Sequence, residues 1–184
     1  MTPRGIGAPA PPLELLTASG ESWSLGGARG RSVILSFLGP ANCLFCRSHV
    51  IRLIEASDRI AETGADVVLV AHHDPELMMS KMMHSLNLPF VLLFDQTRAA
   101  YQRWGLGTVS FKAFVRAGLY LHAARSATRI LLGREQWLGT APVQTQMGGD
   151  FVVDREGTLV FANRLRSFHD RAKIEDLLAV VRSH

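Results

Sequence analysis

Residues 32–38 read Ser-Val-Ile-Leu-Ser-Phe-Leu, an almost unbroken apolar run. Both alternate sets of side chains are apolar, so this strand has to be covered on both faces, which requires structure above and below it. Gly39-Pro40-Ala41-Asn42 breaks the run, and Cys43-Leu44-Phe45-Cys46-Arg47 opens a new stretch. There Val50, Ile51, Leu53, Ile54 and Ile60 recur at helical spacing to about Thr63, where Gly64 ends the helix. A buried strand that turns tightly into a helix is the start of a layered α/β fold.

The rest of the chain keeps that rhythm. Residues 1–12 read as a flexible leader ending in Pro11-Pro12. Leu13–Thr17 and Glu21–Leu25, joined by Ala18-Ser19-Gly20, predict an N-terminal β-hairpin. Residues 65–71 predict a second buried strand, and Pro75 suits the first position of a helix running to about Ser85. A third strand is expected over 89–94, followed by a helix from Gln96 to Trp104 capped by Asp95. Residues 151–154 and 158–162, joined by Arg155-Glu156-Gly157, predict a hairpin. Asp170 is the expected cap of a final helix whose apolar face is Ile174, Leu177, Leu178 and Val181. The alternation implies a central mixed sheet flanked by helices, one domain over 13–184. A basic, helix-like insert at about 108–147 interrupts it. Its plain reading is a helix on the sheet edge; the sharper ones are a substrate lid or a homodimer contact.

The two cysteines are the only ones in the chain. Three residues apart at a helix start, their sulfurs share one face near unsatisfied backbone N–H groups, which favour thiolate over thiol. Arg47 places a positive charge beside Cys46 in sequence. The pattern admits three readings: a redox dithiol, a zinc site completed from His49, His72 and His73, or two small buried hydrophobes. Redox thiol chemistry leads, because a close pair after a Gly-Pro loop is a poor way to fill a core. Met78, Met79, Met82 and Met83 read as core filling rather than metal ligands.

Twenty Lys and Arg face sixteen Asp and Glu, a formal charge of +4 without a clustered stripe, which argues against a nucleic-acid partner. No run reaches the length of a membrane span, and Met1–Pro12 has no hydrophobic signal core, so a cytoplasmic protein with no membrane partner is expected. In that compartment a close cysteine pair is more often catalytic or metal-binding than a structural staple.

Several stretches together resemble the peroxiredoxin-like (alkyl hydroperoxide reductase/thiol-specific antioxidant, AhpC/TSA) family of the thioredoxin fold. They are the hairpin, Val33–Phe37, Cys43-x-x-Cys46-Arg47, Val67–Asp74, Leu93-Phe94-Asp95, and Gly148–Asp154 with Gly157. The nearest fit is an atypical subgroup bearing CxxC. The resemblance implies that Cys46 is the peroxide-reactive thiol and that Cys43, which stands where the family carries Thr, resolves its sulfenic acid to a disulfide. Pro40, Asn42 and Arg47 would shape the site, with the N–H groups around residues 44–46 stabilising the anion. The family's Pro is displaced by one residue to Pro40, and its late arginine has no counterpart near Gly148, so slow peroxide turnover is expected. The implied substrate is a peroxide or a disulfide, the implied reductant a thioredoxin-like protein or a small thiol, and no cofactor is implied. Two alternatives stand beside this: thiol–disulfide exchange with Cys43 as nucleophile, and a non-catalytic metal-binding protein on the same fold.

Overall fold

The computed structural model describes residues 5–108, 146–167 and 169–184. Seven strands form one mixed sheet: β1 (Glu14–Thr17), β2 (Ser22–Ser24), β3 (Val33–Phe37), β4 (Asp66–Ala71), β5 (Val91–Phe94), β6 (Gly149–Val153) and β7 (Leu159–Arg164). Their spatial order is β2-β1-β5-β4-β3-β6-β7. The three apolar strands β3, β4 and β5 run parallel at the centre, and β1 and β6 join them antiparallel. The expected mixed sheet with its N-terminal hairpin is therefore present. The expected insert lies, over 109–145, outside the described residues.

Alternation along the strands sorts the side chains into two cores. Ile34, Val67, Leu69 and Val152 pack on one face with α1 (Leu44–Glu55), α2 (Ser57–Ala61), α3 (Pro75–Lys81) and the last helix, α5 (Ile174–Ser183). Val33, Leu35, Phe37, Val68 and Val70 pack on the other with Tyr101 and Trp104 at α4 (Ala99–Arg103). Ser36 and Asp150, a registered pair on β3 and β6, are polar residues embedded in this apolar sheet and are fully buried. A buried carboxylate is tolerated only when paired, so their position marks where the sheet does something other than pack.

Several boundaries differ from the expectation, each for a local reason. The first long helix breaks at Ala56 into α1 and α2, yet Leu53, Ala56 and Ile60 all stay buried, so the apolar face is continuous. The third helix stops at Lys81 rather than Ser85: Arg47 donates to the carbonyls of Met82 and His84, drawing them out of the helical ladder, and Ser85 adopts a left-handed φ of 60°. The helix after Asp95 begins at Ala99, because the Asp95 carboxylate accepts the N–H groups of Ala99, Ala100 and Tyr101. Lys173, not Asp170, occupies the cap position of α5. The leader is not loose over residues 7–10: Gly7 and Ala10 N–H donate to Leu159 and Gly157 carbonyls, and Pro9 bridges Thr158. Among the described residues, no helix is long and apolar enough to cross a membrane.

Candidate active site

The site forms where β3 ends and α1 begins. Tyr101, buried beneath this point, donates its hydroxyl toward the carbonyls of Leu38 and Val70 at 2.7 and 2.8 Å, which fixes where the strand gives way to the turn. Pro40 is buried in the turn and its carbonyl accepts the N–H of Cys43 at 2.9 Å; Asn42 follows at the outer bend. Cys43 is the N-cap of α1, its Sγ accepting the N–H of Cys46 at 3.2 Å. Cys46 is thus one turn inside the helix and wholly buried, whereas Cys43 is half-buried above it. The two sulfurs lie 2.7 Å apart.

Cys46 Sγ is surrounded by donors. Gly39 N–H points at it from 3.3 Å and Arg171 Nη2 from 3.4 Å. Burial by itself would raise the thiol pKa, but the Cys43 S–H, the Arg171 charge and hydrogen bond, and the Gly39 N–H together bring it down to about 6. Cys43 behaves oppositely. Its bond to the Cys46 sulfur, burial and the negative charge of Cys46 all hold its pKa well above the ordinary thiol value. Both shifts favour the negative charge on Cys46 and the proton on Cys43.

Arg171 lies on the segment between β7 and α5 and is buried. Its Nη1 donates to Asp150 Oδ1 at 2.8 Å and to Ser36 Oγ at 3.3 Å, and its Nη2 to the Phe37 carbonyl at 3.0 Å. Asp150 also accepts the Ser36 hydroxyl at 2.8 Å and the Ala172 N–H at 3.0 Å. His49 Nε2 sits 3.2 Å from the same carboxylate, off the ideal hydrogen-bond direction. Burial works against ionisation of Asp150, and the charges of Arg171 and His49 outweigh it, so the carboxyl lies well below its usual range. Gly148 makes room for the guanidinium: a Cβ there would stand 2.1 Å from the Phe37 carbonyl oxygen and 2.8 Å from Arg171 Nη2.

The structure brings Cys43, Cys46, Pro40 and Asn42 together as expected, but not Arg47. One position beyond Cys46, its side chain leaves the helix about 100° around and binds the Met82 and His84 carbonyls. The cation beside the Cys46 sulfur is Arg171 instead. The N–H that reaches Cys46 Sγ is likewise Gly39's, not one of those at 44–46. His49 faces Asp150, and His72 and His73 stack on each other with ring centres 4.4 Å apart. Among the described residues no three His, Cys, Asp or Glu side chains converge to hold a metal.

A strand–turn–helix that presents a capped cysteine above a buried, arginine-paired one is an arrangement suited to thiol redox chemistry. The family model described as "AhpC/TSA family" matches residues 6–162. The chain belongs to the AhpC/TSA family. Solved structures agree on the fold. A peroxiredoxin-like protein from Aquifex aeolicus superposes with a TM-score of 0.68 at 13% identity, covering 100% of this chain and 89% of that one. Peroxidoxin BcpB from Mycobacterium tuberculosis gives 0.67 at 16% identity, over 97% and 96%. The thioredoxin domain of a thiol-disulfide oxidoreductase from Bacteroides vulgatus gives 0.60 at 18%, over 98% and 97%. A comparison with curated proteins finds no match. Like its AhpC/TSA relatives, the chain is a thiol-dependent oxidoreductase of the thioredoxin fold.

Proposed function

We propose that this AhpC/TSA protein reduces a peroxide through Cys46. The Cys46 thiolate attacks one oxygen of the O–O bond; the S–O bond forms, the O–O bond breaks, and the leaving oxygen departs as water or an alcohol after taking a proton. Cys46 is then a sulfenic acid. Cys43 Sγ attacks Cys46 Sγ, the S–O bond breaks, and the hydroxide leaves as water with the Cys43 proton. A dithiol, either a thioredoxin-like protein or two small thiols, returns the disulfide to the reduced pair by exchange. A two-cysteine chain of this kind suits a reducing, cytoplasmic setting.

The observation that carries this reading is the division of roles between the sulfurs. Cys46 receives Arg171 Nη2 and the Gly39 N–H and holds the charge, while Cys43 keeps the proton. Arg171, which reaches Cys46 Sγ from the segment before α5, is a donor placed to serve that attack. A second reading, thiol–disulfide exchange through Cys43, draws support from the greater exposure of that sulfur.

One experiment separates them. With Cys43→Ser, one equivalent of hydrogen peroxide should leave a sulfenic acid on Cys46 that a dimedone-type reagent traps. With Cys46→Ser, no comparable adduct should form. A Cys46→Ser variant that keeps the fast reaction and builds mixed disulfides on Cys43 assigns the protein to exchange.

A further inference from the structure

We propose that Asp150 is a positioning residue for the reaction: it aims Arg171 at Cys46 by gripping the arginine at both its side chain and the backbone that follows. The inference rests on the ionised Cys46 of the proposed function, and not on which oxidant that thiolate meets.

The grip is visible oxygen by oxygen. Oδ1 accepts Arg171 Nη1 and Ser36 Oγ, each at 2.8 Å, with His49 Nε2 at 3.2 Å; Oδ2 accepts the Ala172 N–H at 3.0 Å. Arg171 Nη1 on Oδ1 and the Ala172 N–H on Oδ2 can only donate, so only a group that accepts on both oxygens satisfies the two together. The consequence for Arg171 is geometric. With Nη1 fixed on Asp150 and Ser36, and Nη2 on the Phe37 carbonyl, the planar guanidinium has no rotation left, and Nη2 points at Cys46 Sγ. Ala172 anchors the segment from which the side chain springs, so both ends of Arg171 are set by one carboxylate.

Field and aim act in opposite directions here. The negative charge of Asp150 disfavours a second anion at Cys46, whereas its hold on Arg171 favours that anion. A residue that merely filled space would do neither. The sign of a single measurement therefore distinguishes the roles.

The test is the pH dependence of Cys46 alkylation by iodoacetamide, read by mass spectrometry, in the full chain. Asp150→Asn conserves shape but turns an NH2 toward either the Arg171 guanidinium or the Ala172 N–H, so the grip fails. The midpoint for Cys46 should rise by about one pH unit or more, a tenfold lower thiolate fraction well below the midpoint. Ser36→Ala removes one anchor of both Asp150 and Arg171 and should raise it by a smaller amount, about two- to threefold in thiolate fraction. A folded Asp150→Asn protein whose midpoint falls or stays in place overturns the proposal. If that variant does not fold, an unmoved midpoint in Ser36→Ala does the same. A wild-type midpoint at or above ~8.5 would instead remove the thiolate on which the proposed function depends. A low wild-type midpoint that Asp150→Asn leaves unmoved sinks this inference alone.

Discussion

Replacing Arg171 with methionine should convert Cys46 from a thiolate into an ordinary buried thiol. Arg171 Nη2 lies 3.4 Å from Cys46 Sγ, and two unit charges at that distance interact by about 5 kcal/mol at an effective dielectric of 20. The net stabilisation of the anion is smaller: a pKa of about 6 against the ordinary ~8.5 corresponds to about 3 kcal/mol, because burial opposes Arg171 and the Cys43 and Gly39 hydrogen bonds together. Without the cation, burial is opposed only by the Cys43 and Gly39 hydrogen bonds, so the midpoint should pass ~8.5. The thiolate fraction at pH 7 would then fall from about nine in ten to about one in thirty or less. The rate at any one pH is a poor readout, because a more basic thiolate is also a better nucleophile and hides part of the loss. The midpoint of a full alkylation–pH profile avoids this. Arg171→Met also leaves Asp150 buried without its main partner, a loss of about 3–5 kcal/mol in stability. Arg171→Met/Asp150→Asn, which removes both charges, is the companion variant, and circular dichroism checks that either is folded. A folded variant that still alkylates with a midpoint near 6 refutes the claim that Arg171 makes the thiolate.

Two further outcomes follow from the same geometry. In the wild type, a lowered thiol pKa means reactivity appears as pH rises through about 6, whereas the raised pKa of Cys43 delays its ionisation beyond the ordinary range. At pH 7, limiting alkylator should therefore label Cys46 ahead of Cys43 despite its deeper burial, and preferential labelling of Cys43 contradicts the assignment. Gly148→Ala should cost about 2 kcal/mol or more in denaturant unfolding and raise the Cys46 midpoint, since the new methyl meets the Phe37 carbonyl and Arg171 together. A fully stable Gly148→Ala protein with an unmoved midpoint would show that the guanidinium has room to spare.

The sheet was legible in the sequence because its signal is local. The apolar runs at β3, β4 and β5 and the Gly-centred turn of the last hairpin each declare themselves within a few residues. The cysteine turn was legible for the same reason, since spacing alone places Cys43 and Cys46 on one helix face. Arg47 misled because adjacency in sequence is not adjacency on a helix, where the next residue points elsewhere. Arg171 escaped because its only sequence neighbours are Asp170 and Ala172, and nothing local marks it as buried. The one available hint was Asp150: a carboxylate at the start of the apolar stretch 151–153 requires a buried donor from some other part of the chain.

The groups around Cys46 come from β3 and the turn after it, from β6, and from the segment just before α5, whose Arg171 stands 125 residues beyond Cys46 in sequence. During synthesis the cysteines therefore emerge well before the guanidinium that faces Cys46. A nascent chain thus carries two unremarkable thiols until the segment before α5 docks and brings Arg171 against Cys46. If the proposed function holds, sensitivity to oxidants arises only once that segment has docked, and chains interrupted before Arg171 should be spared the oxidation.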